Sequence, residues 1–578
     1  MQKNHFYRNT DQMAAISERS MLQLQEMDYA AYKAWPNLTA FASDQLPEQQ
    51  MENRVRNAME RFRQDYREHS ERQEWKYPAA RPFCEKKPFI EQSKLFQLFQ
   101  DMPKCSLLHI HNAAALSTDG FISLLKEWIR DGENPPICIV VKPGGRKIPG
   151  TLCFQPAGGI PEDCVPLSDF LMKEGGEDVL KNLVSLSSVE RTESIPYIWD
   201  EFNRIFQRTG ELLENRRFYF LYHYYAFKEM IEDRIEYTEL RCSFTVFTDQ
   251  NEDPGNPFFQ PWNLFDVSIP FLDTLVKAAD AALIDWNKEN QEERAFHFRV
   301  ILTARRDQDI LDQTQLNNQG DKILLKMDSA IVIMQNPRYK ELVCGFDLVS
   351  EEDRGKTTYT LYSRGIYEKF GTAYKNPAYI VRGNDMLEQH PELEYLRIQK
   401  LDFYLHDGES LWAENDNMID ACIISRHRIG HGFNLCKFPT LVEKFRHNTD
   451  EKGEGPVEPF LEICPISNQM LRYYPDLRAH SAYELIKSGV QCVLGNDDPM
   501  ILENPGLSYD FWEAYVGIGL DYYAIKGLVF NAYICEVLAD GHYPAVGNDY
   551  VLNPQLQMDI FNKQYWLPFL RRADADLA

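Results

Sequence analysis

At 578 residues, with 44% hydrophobic and 26% charged positions, the chain has the composition of an ordinary globular protein and enough length for a large core. Its formal net charge of −25 argues against nucleic acid or an anionic membrane as partner, because both are held by Lys and Arg. A small-molecule partner suits that charge better.

Residues 1–20 show no apolar core of a signal peptide and no small-residue cleavage site. The most apolar stretches, such as Ile269–Leu283, are broken by charges, so no membrane span is expected. The 12 cysteines are scattered without a C-x-x-C pair, and Cys242, Cys344, Cys464 and Cys492 fall in runs that read as buried strands. The expected setting is cytoplasmic and reducing.

Residues 1–100 read as a polar N-terminal helical extension. Within it, Pro47–Arg72 places Met51, Val55, Met59 and Phe62 three and four apart, a helix with one narrow apolar stripe. That stripe fits either the parent domain or a second subunit.

From residue 101 to 578 a different rhythm takes over. Eight short apolar runs, separated by long stretches that are often helical in pattern, end in polar residues: Ser106–His111, Tyr237–Ser243, Phe298–Arg305, Leu342–Val349, Leu401–His406, Arg428–Gly432, Phe460–Ser467 and Gln491–Asp497. Helical patterns such as Tyr197–Gln207 and Arg217–Asp233 lie between them. This alternation predicts an α/β fold, a (β/α)₈ TIM barrel. The long first gap contains an insertion at about 128–188, rich in Gly and Pro, in which Cys138, Cys153 and Cys164 are candidates for a disulfide in an oxidising setting. The aromatic helical tail beyond Ser508 is expected to complete the outer layer.

Barrel enzymes build their sites at the C-terminal strand ends, and chemically capable residues collect there. His109 and His111 form H-x-H on the first run, where strand alternation sends both to one face. His406 ends the fifth run, His431 lies near the end of the sixth, and Asp497-Asp498 closes the eighth before Pro499. Imidazoles with a carboxylate suit Zn²⁺ with one position open for water. Each residue alone has an ordinary structural explanation; their coincidence at the ends of one array is the signal. H-E-x-x-H, the P-loop, G-x-S-x-G, G-x-G-x-x-G and the P-C-x-x-C of base-editing deaminases are all missing.

Met102-Pro103-Lys104 followed by Leu107-Leu108-His109-Ile110-His111 resembles the opening motif of the adenosine deaminase-related growth factors, a mostly secreted branch of the adenosine deaminase family. The resemblance continues through Tyr237–Arg241, Gly345–Val349, His406–Glu409, Arg428–Phe433, Glu462–Gln469, Asp497–Pro499 and Leu507–Phe511, in family order. It implies that His109, His111, His406 and Asp497 bind one Zn²⁺ per chain. By the same resemblance, Glu409 gives a proton to purine N1, His431 orients the attacking water, and Asp498 hydrogen-bonds N7. The backbone N–H of Ser350 meets N3, where the family has glycine, and Glu352 follows as in the family. The implied reaction is hydrolytic deamination of adenosine or 2′-deoxyadenosine, and the implied assembly is a homodimer formed through the N-terminal helices and the insertion.

Departures from the pattern fall at the sugar end. Asn112 stands where the family places Asp, and Arg305 follows Ala304 where relatives carry His before an Arg. Ser350 for Gly and Asp407 for Ala are expected to crowd the pocket. Two alternatives follow: a deaminase of a modified or 5′-substituted adenine nucleoside, or a growth-factor-like signalling protein with a secondary catalytic site. The family's habit makes secretion the alternative to a cytoplasmic location.

Overall fold

In a computed structural model, residues 46–72, 78–143, 147–189, 193–248, 258, 264–306, 313–354, 378–379, 399–400, 402–425, 427–446, 459–540, 545–546, 549–550 and 554–577 are described. The expected extension over residues 1–45 lies outside them.

The eight barrel strands are β1 (Cys105–His111), β2 (Ile235–Ser243), β3 (His297–Arg305), β4 (Val343–Val349), β5 (His406–Asp407), β6 (Arg428–His431), β7 (Phe460–Ile463) and β8 (Cys492–Leu494). β1 to β4 pair in order as one parallel sheet and β5 to β8 as another. Two parallel bridges join them: Phe346 with Phe403, and Ile110 with Asp497. At the second seam Asp497 N donates to His109 O at 3.1 Å and His111 N to Asp497 O at 2.9 Å. The ring is closed, the (β/α)₈ barrel expected from the alternation.

Boundaries differ where local chemistry intervenes. The seventh run stops pairing at Ile463, because Pro465 opens a helix, α7 (Pro465–Met470), with Cys464 at its N-cap. Proline lacks the N–H a ladder needs, and its fixed φ suits a first helical position. The fifth run reduces to a bridge at Phe403 and two paired residues, His406 and Asp407.

Helices α1 (Leu46–Arg72), α2 (Thr118–Asp131), α3 (Ile195–Thr209), α4 (Arg216–Glu232), α5 (Pro270–Asn290) and α6 (Gln313–Gln335) precede α7, and α8 (Tyr522–Asp540) and α9 (Leu567–Leu577) follow it. The stripe on α1 packs on its own chain, with Val55 and Met59 buried. Arg54 grips Asp574 of α9 through two bonds of 2.7 and 2.6 Å. Glu52, buried beside them, accepts from Lys526 Nζ at 2.8 Å and Trp566 Nε1 at 3.0 Å. α8 packs against both β1 and β8, so the tail covers the seam where the barrel closes.

The insertion after β1 forms a small antiparallel sheet, Ile137–Val140 between Leu152–Phe154 and Cys164–Pro166. Cys138 faces Cys153 across the strands, and they cluster with Cys164 and Val140; all three cysteines are free thiols here. No helix among the described residues is long and apolar enough to cross a membrane.

Candidate active site

The pleat of β1 sends His109 and His111 into the barrel, where they meet His406 from β5 and Asp497 from the loop after β8. The four ligating atoms lie within 4.8 Å of one another, and His109, His406 and Asp497 are buried. Two of the imidazoles are held from behind. His109 Nδ1 lies 2.7 Å from Glu462 Oε2 on β7, and His406 Nδ1 lies 2.6 Å from Asp347 Oδ2 on β4. Each carboxylate accepts a hydrogen bond from the Nδ1–H and leaves an Nε2 lone pair facing inward, the arrangement found behind metal-ligating histidines.

The lone pairs then crowd one another. His111 Nε2 is 3.1 Å from His406 Nε2 and 3.2 Å from Asp497 Oδ1, while buried His109 Nε2 has no hydrogen-bond partner and lies 3.6 Å from Asp497 Oδ1. Converging acceptors without protons between them are repulsive unless a cation sits among them. Three imidazoles and a carboxylate fit a single divalent metal ion. A second grouping, His109, His431, Cys464 and Asp497, also comes within 4.8 Å.

Arg241 on β2 ties the two backing carboxylates together. Its Nε donates to Asp347 at 2.8 Å, one Nη to Glu462 at 2.6 Å and the other to Leu108 O at 2.8 Å, all buried. Arg428 adds a 2.7 Å bond to Glu462 and pairs with Glu239. Burial alone would raise the Asp347 carboxyl, but His406 and Arg241 beside it hold it well below the usual carboxylate range. The clamp therefore carries its negative charge.

Glu409 sits on the turn after β5. Its carboxyl is buried, and Oε1 makes no hydrogen bond. Burial, with Asp497 and Glu352 nearby, pushes its pKa far up, toward the acid form. The turn is held by Glu352, whose carboxylate accepts from Gly408 N at 3.1 Å, Glu409 N at 2.7 Å and Asn417 Nδ2 at 2.9 Å. Gly408 has φ +82°, and an added Cβ would come within 2.4 Å of Met418. The Asp498 carboxyl, pushed up by burial and by Asp497, lines the same cavity.

That cavity, about 230 Å³, runs from the metal-binding cluster to the barrel mouth. Asn112, Ser350, Arg305, Glu409, His431 and Asp498 all line it. Asn112 Nδ2 donates to Tyr219 OH at 3.2 Å, and Arg305 Nη2 donates to Asn203 Oδ1 at 2.8 Å. The far wall is apolar, from Trp199, Phe202 and Phe206 on α3. The helical pattern announced α3 but not its place at the site, because nothing local says which loop a helix overhangs.

One expectation fails. Asp407 does not crowd the pocket: it is turned away, fully buried, accepting from Arg306 Nη2 at 3.0 Å. Alternation along β5 explains this, since adjacent residues point to opposite faces. Ser350 does occupy a glycine-like conformation, with φ +92°. Such strain costs on the order of 1–3 kcal/mol, so Ser350→Gly is expected to stabilise the protein by about 1 kcal/mol in urea titration. A fall in stability would show that the serine is not strained.

No protein-family model matches the chain. Curated proteins do. It is 28% identical over 465 residues to adenosine deaminase 2 of Dictyostelium discoideum, covering 78% of this chain and 72% of that one. It is 27% identical over 457 residues to an adenosine deaminase of Lutzomyia longipalpis, covering 77% and 75%. Human adenosine deaminase 2 is 24% identical over 477 residues, covering 79% and 78%. Among solved structures, Arabidopsis ADAL complexed with GMP superposes with a TM-score of 0.45 at 12% identity, over 78% of this chain and 99% of that one. With relatives of one name spanning most of its length, and a closed barrel whose mouth gathers three histidines and an aspartate that could hold a metal ion, this chain is similar to the adenosine deaminases over more than three quarters of its length.

Proposed function

We propose that the protein is a zinc-dependent aminohydrolase that converts adenosine or 2′-deoxyadenosine to the inosine-type product and ammonia. The observation that carries this is the buried Glu409 carboxyl, its Oε1 without a hydrogen-bond partner, lining the same cavity as the His109, His111, His406 and Asp497 cluster. His109, His111, His406 and Asp497 would hold one Zn²⁺ per chain. Bound zinc lowers the pKa of a water from about 15.7 to about 7, supplying a nucleophile at neutral pH.

The chain's own groups do the rest. Glu409 donates its proton to ring N1, which drains electron density from C6 and opens it to attack. Asp498 in its acid form donates to N7, and the N–H of Ser350 meets N3. His431 fixes the attacking water on one face of the ring. The apolar wall of α3 excludes bulk water from the reacting end. A homodimer, formed through residues 1–100 and the insertion at about 128–188, is part of this reading; light scattering after size exclusion tests it.

The central test is incubation of the purified protein with a panel of purine nucleosides and nucleotides, reading ammonia release. Turnover confined to pyrimidines or to non-nucleosides would overturn the proposal.

Arg305 favours a second reading of the substrate. A guanidinium on the cavity wall suits a sugar whose 5′ position carries an anionic group, and Asn112 offers a neutral amide where a carboxylate would repel it. Arg305→Ala is then expected to lower kcat/KM for a 5′-monophosphate by about 10–100-fold while changing that for adenosine little. Equal effects on both substrates would return Arg305 to a structural role.

A further inference from the structure

His431 has two ring nitrogens, and which one carries the proton decides whether it offers the reacting water a donor or an acceptor. The answer can be read from a chain of hydrogen bonds that starts at a group whose polarity is fixed. The backbone N–H of Ala482 donates to Nδ1 of His480 at 3.0 Å. That nitrogen is therefore a lone pair. His480 is fully buried, packed on Tyr474 and Phe433, and burial pulls its pKa down to about 3. It is neutral, with its one proton on Nε2.

His480 Nε2 lies 3.0 Å from Asn468 Oδ1 and donates to it. The amide is thereby oriented, its oxygen toward His480 and its Nδ2 toward His431. Asn468 is held in place on α7 by its own backbone: its N–H donates to Cys464 O at 2.9 Å and its C=O accepts from Tyr474 N at 3.0 Å. Its Nδ2 reaches His431 Nδ1 at 3.3 Å. An amide NH₂ can only donate, so His431 Nδ1 is an acceptor. The one competitor for that nitrogen, Glu409 Oε1, lies at 3.6 Å, beyond hydrogen-bond range.

We propose that His480 and Asn468 are positioning residues that lock His431 in the tautomer with its proton on Nε2. That nitrogen faces the reaction centre, 3.8 Å from Asp497 Oδ2. His431 thus enters the reaction as a hydrogen-bond donor to the attacking oxygen and is not the group that receives the water's proton. The inference rests on the reaction proposed above for its kinetic consequence, but not for the tautomer itself.

The test uses the zinc-loaded protein labelled with ¹⁵N-histidine, with His431→Gln to assign the resonances. In the unaltered protein, His431 is expected to show a protonated Nε2 and a bare Nδ1. Asn468→Asp presents acceptors at both ends, so the proton should move to His431 Nδ1, with kcat falling about 10²–10³-fold, the scale of losing one preorganised donor, and KM within threefold. His480→Phe frees the amide to turn over and should give a mixed tautomer with a smaller loss, which His480→Gln, able to donate from its own Nε2, restores. A proton on His431 Nδ1 in the unaltered protein overturns the proposal. So does a well-metallated Asn468→Asp protein that keeps its tautomer or its kcat. If no purine nucleoside is deaminated but the Nε2 proton is observed, the substrate reading falls and the relay stands.

Discussion

Glu409→Gln is expected to leave the metal content unchanged and to lower kcat by about 10²–10⁴-fold, the range that general acid catalysis supplies. Glutamine has nearly the same shape, and the turn that carries it is fixed by Glu352 through the backbone of Gly408 and Glu409, not through the side chain. What is lost is a proton that can be given away. Because burial and the neighbouring carboxylates push the Glu409 carboxyl toward its neutral form, a neutral amide should cost little in substrate binding, and KM should change little. Ammonia release and elemental analysis on the same sample check both halves. A well-metallated variant turning over at the unaltered rate would remove Glu409 from its role.

Arg241→Met should have the largest effect on stability. The guanidinium is buried and bonds Asp347 and Glu462, so its removal leaves two buried carboxylates short of a counter-charge. Breaking a buried pair in this way costs about 3–5 kcal/mol. Because those carboxylates orient His406 and His109, metal affinity should also fall, by about 10–100-fold. Denaturant titration and competition with a chelator measure the two effects separately. Arg241→Lys keeps a charge but not the two-pronged geometry and should recover only part of either. An unchanged metal affinity would mean that the histidines are held by packing alone.

The barrel was readable because each strand announces itself as a short apolar run and each active strand end carries a polar residue. His109, His111, His406 and Asp497 stand out in the sequence for that reason, and they come together in space. The groups behind them do not stand out. Asp347 and Glu462 lie inside apolar runs, and their partners are 59 and 353 residues away, so their task appears only when the strands are set around the ring. His480 gives no signal at all, being a lone histidine beside a short helix. Asp407 deceives for the opposite reason: a carboxylate in place of the family's Ala suggests a crowded pocket, whereas the pleat sends neighbours apart and gives Asp407 to Arg306. The apolar stripe of α1 is plain in the sequence, yet whether it serves its own chain or another depends on partners such as Asp574, 520 residues downstream of Arg54.

That last distance has a consequence during synthesis. Arg54 and its partner Asp574 are separated by 520 residues. At roughly 5–20 residues per second, α1 is made on the order of 25–100 s before the helix it grips. Through that interval Arg54 has no Asp574 to grip, and the seam beside β1 stays open until β8 and α8 emerge. A chain without α9 would leave α1 without the clasp that Arg54 makes on Asp574.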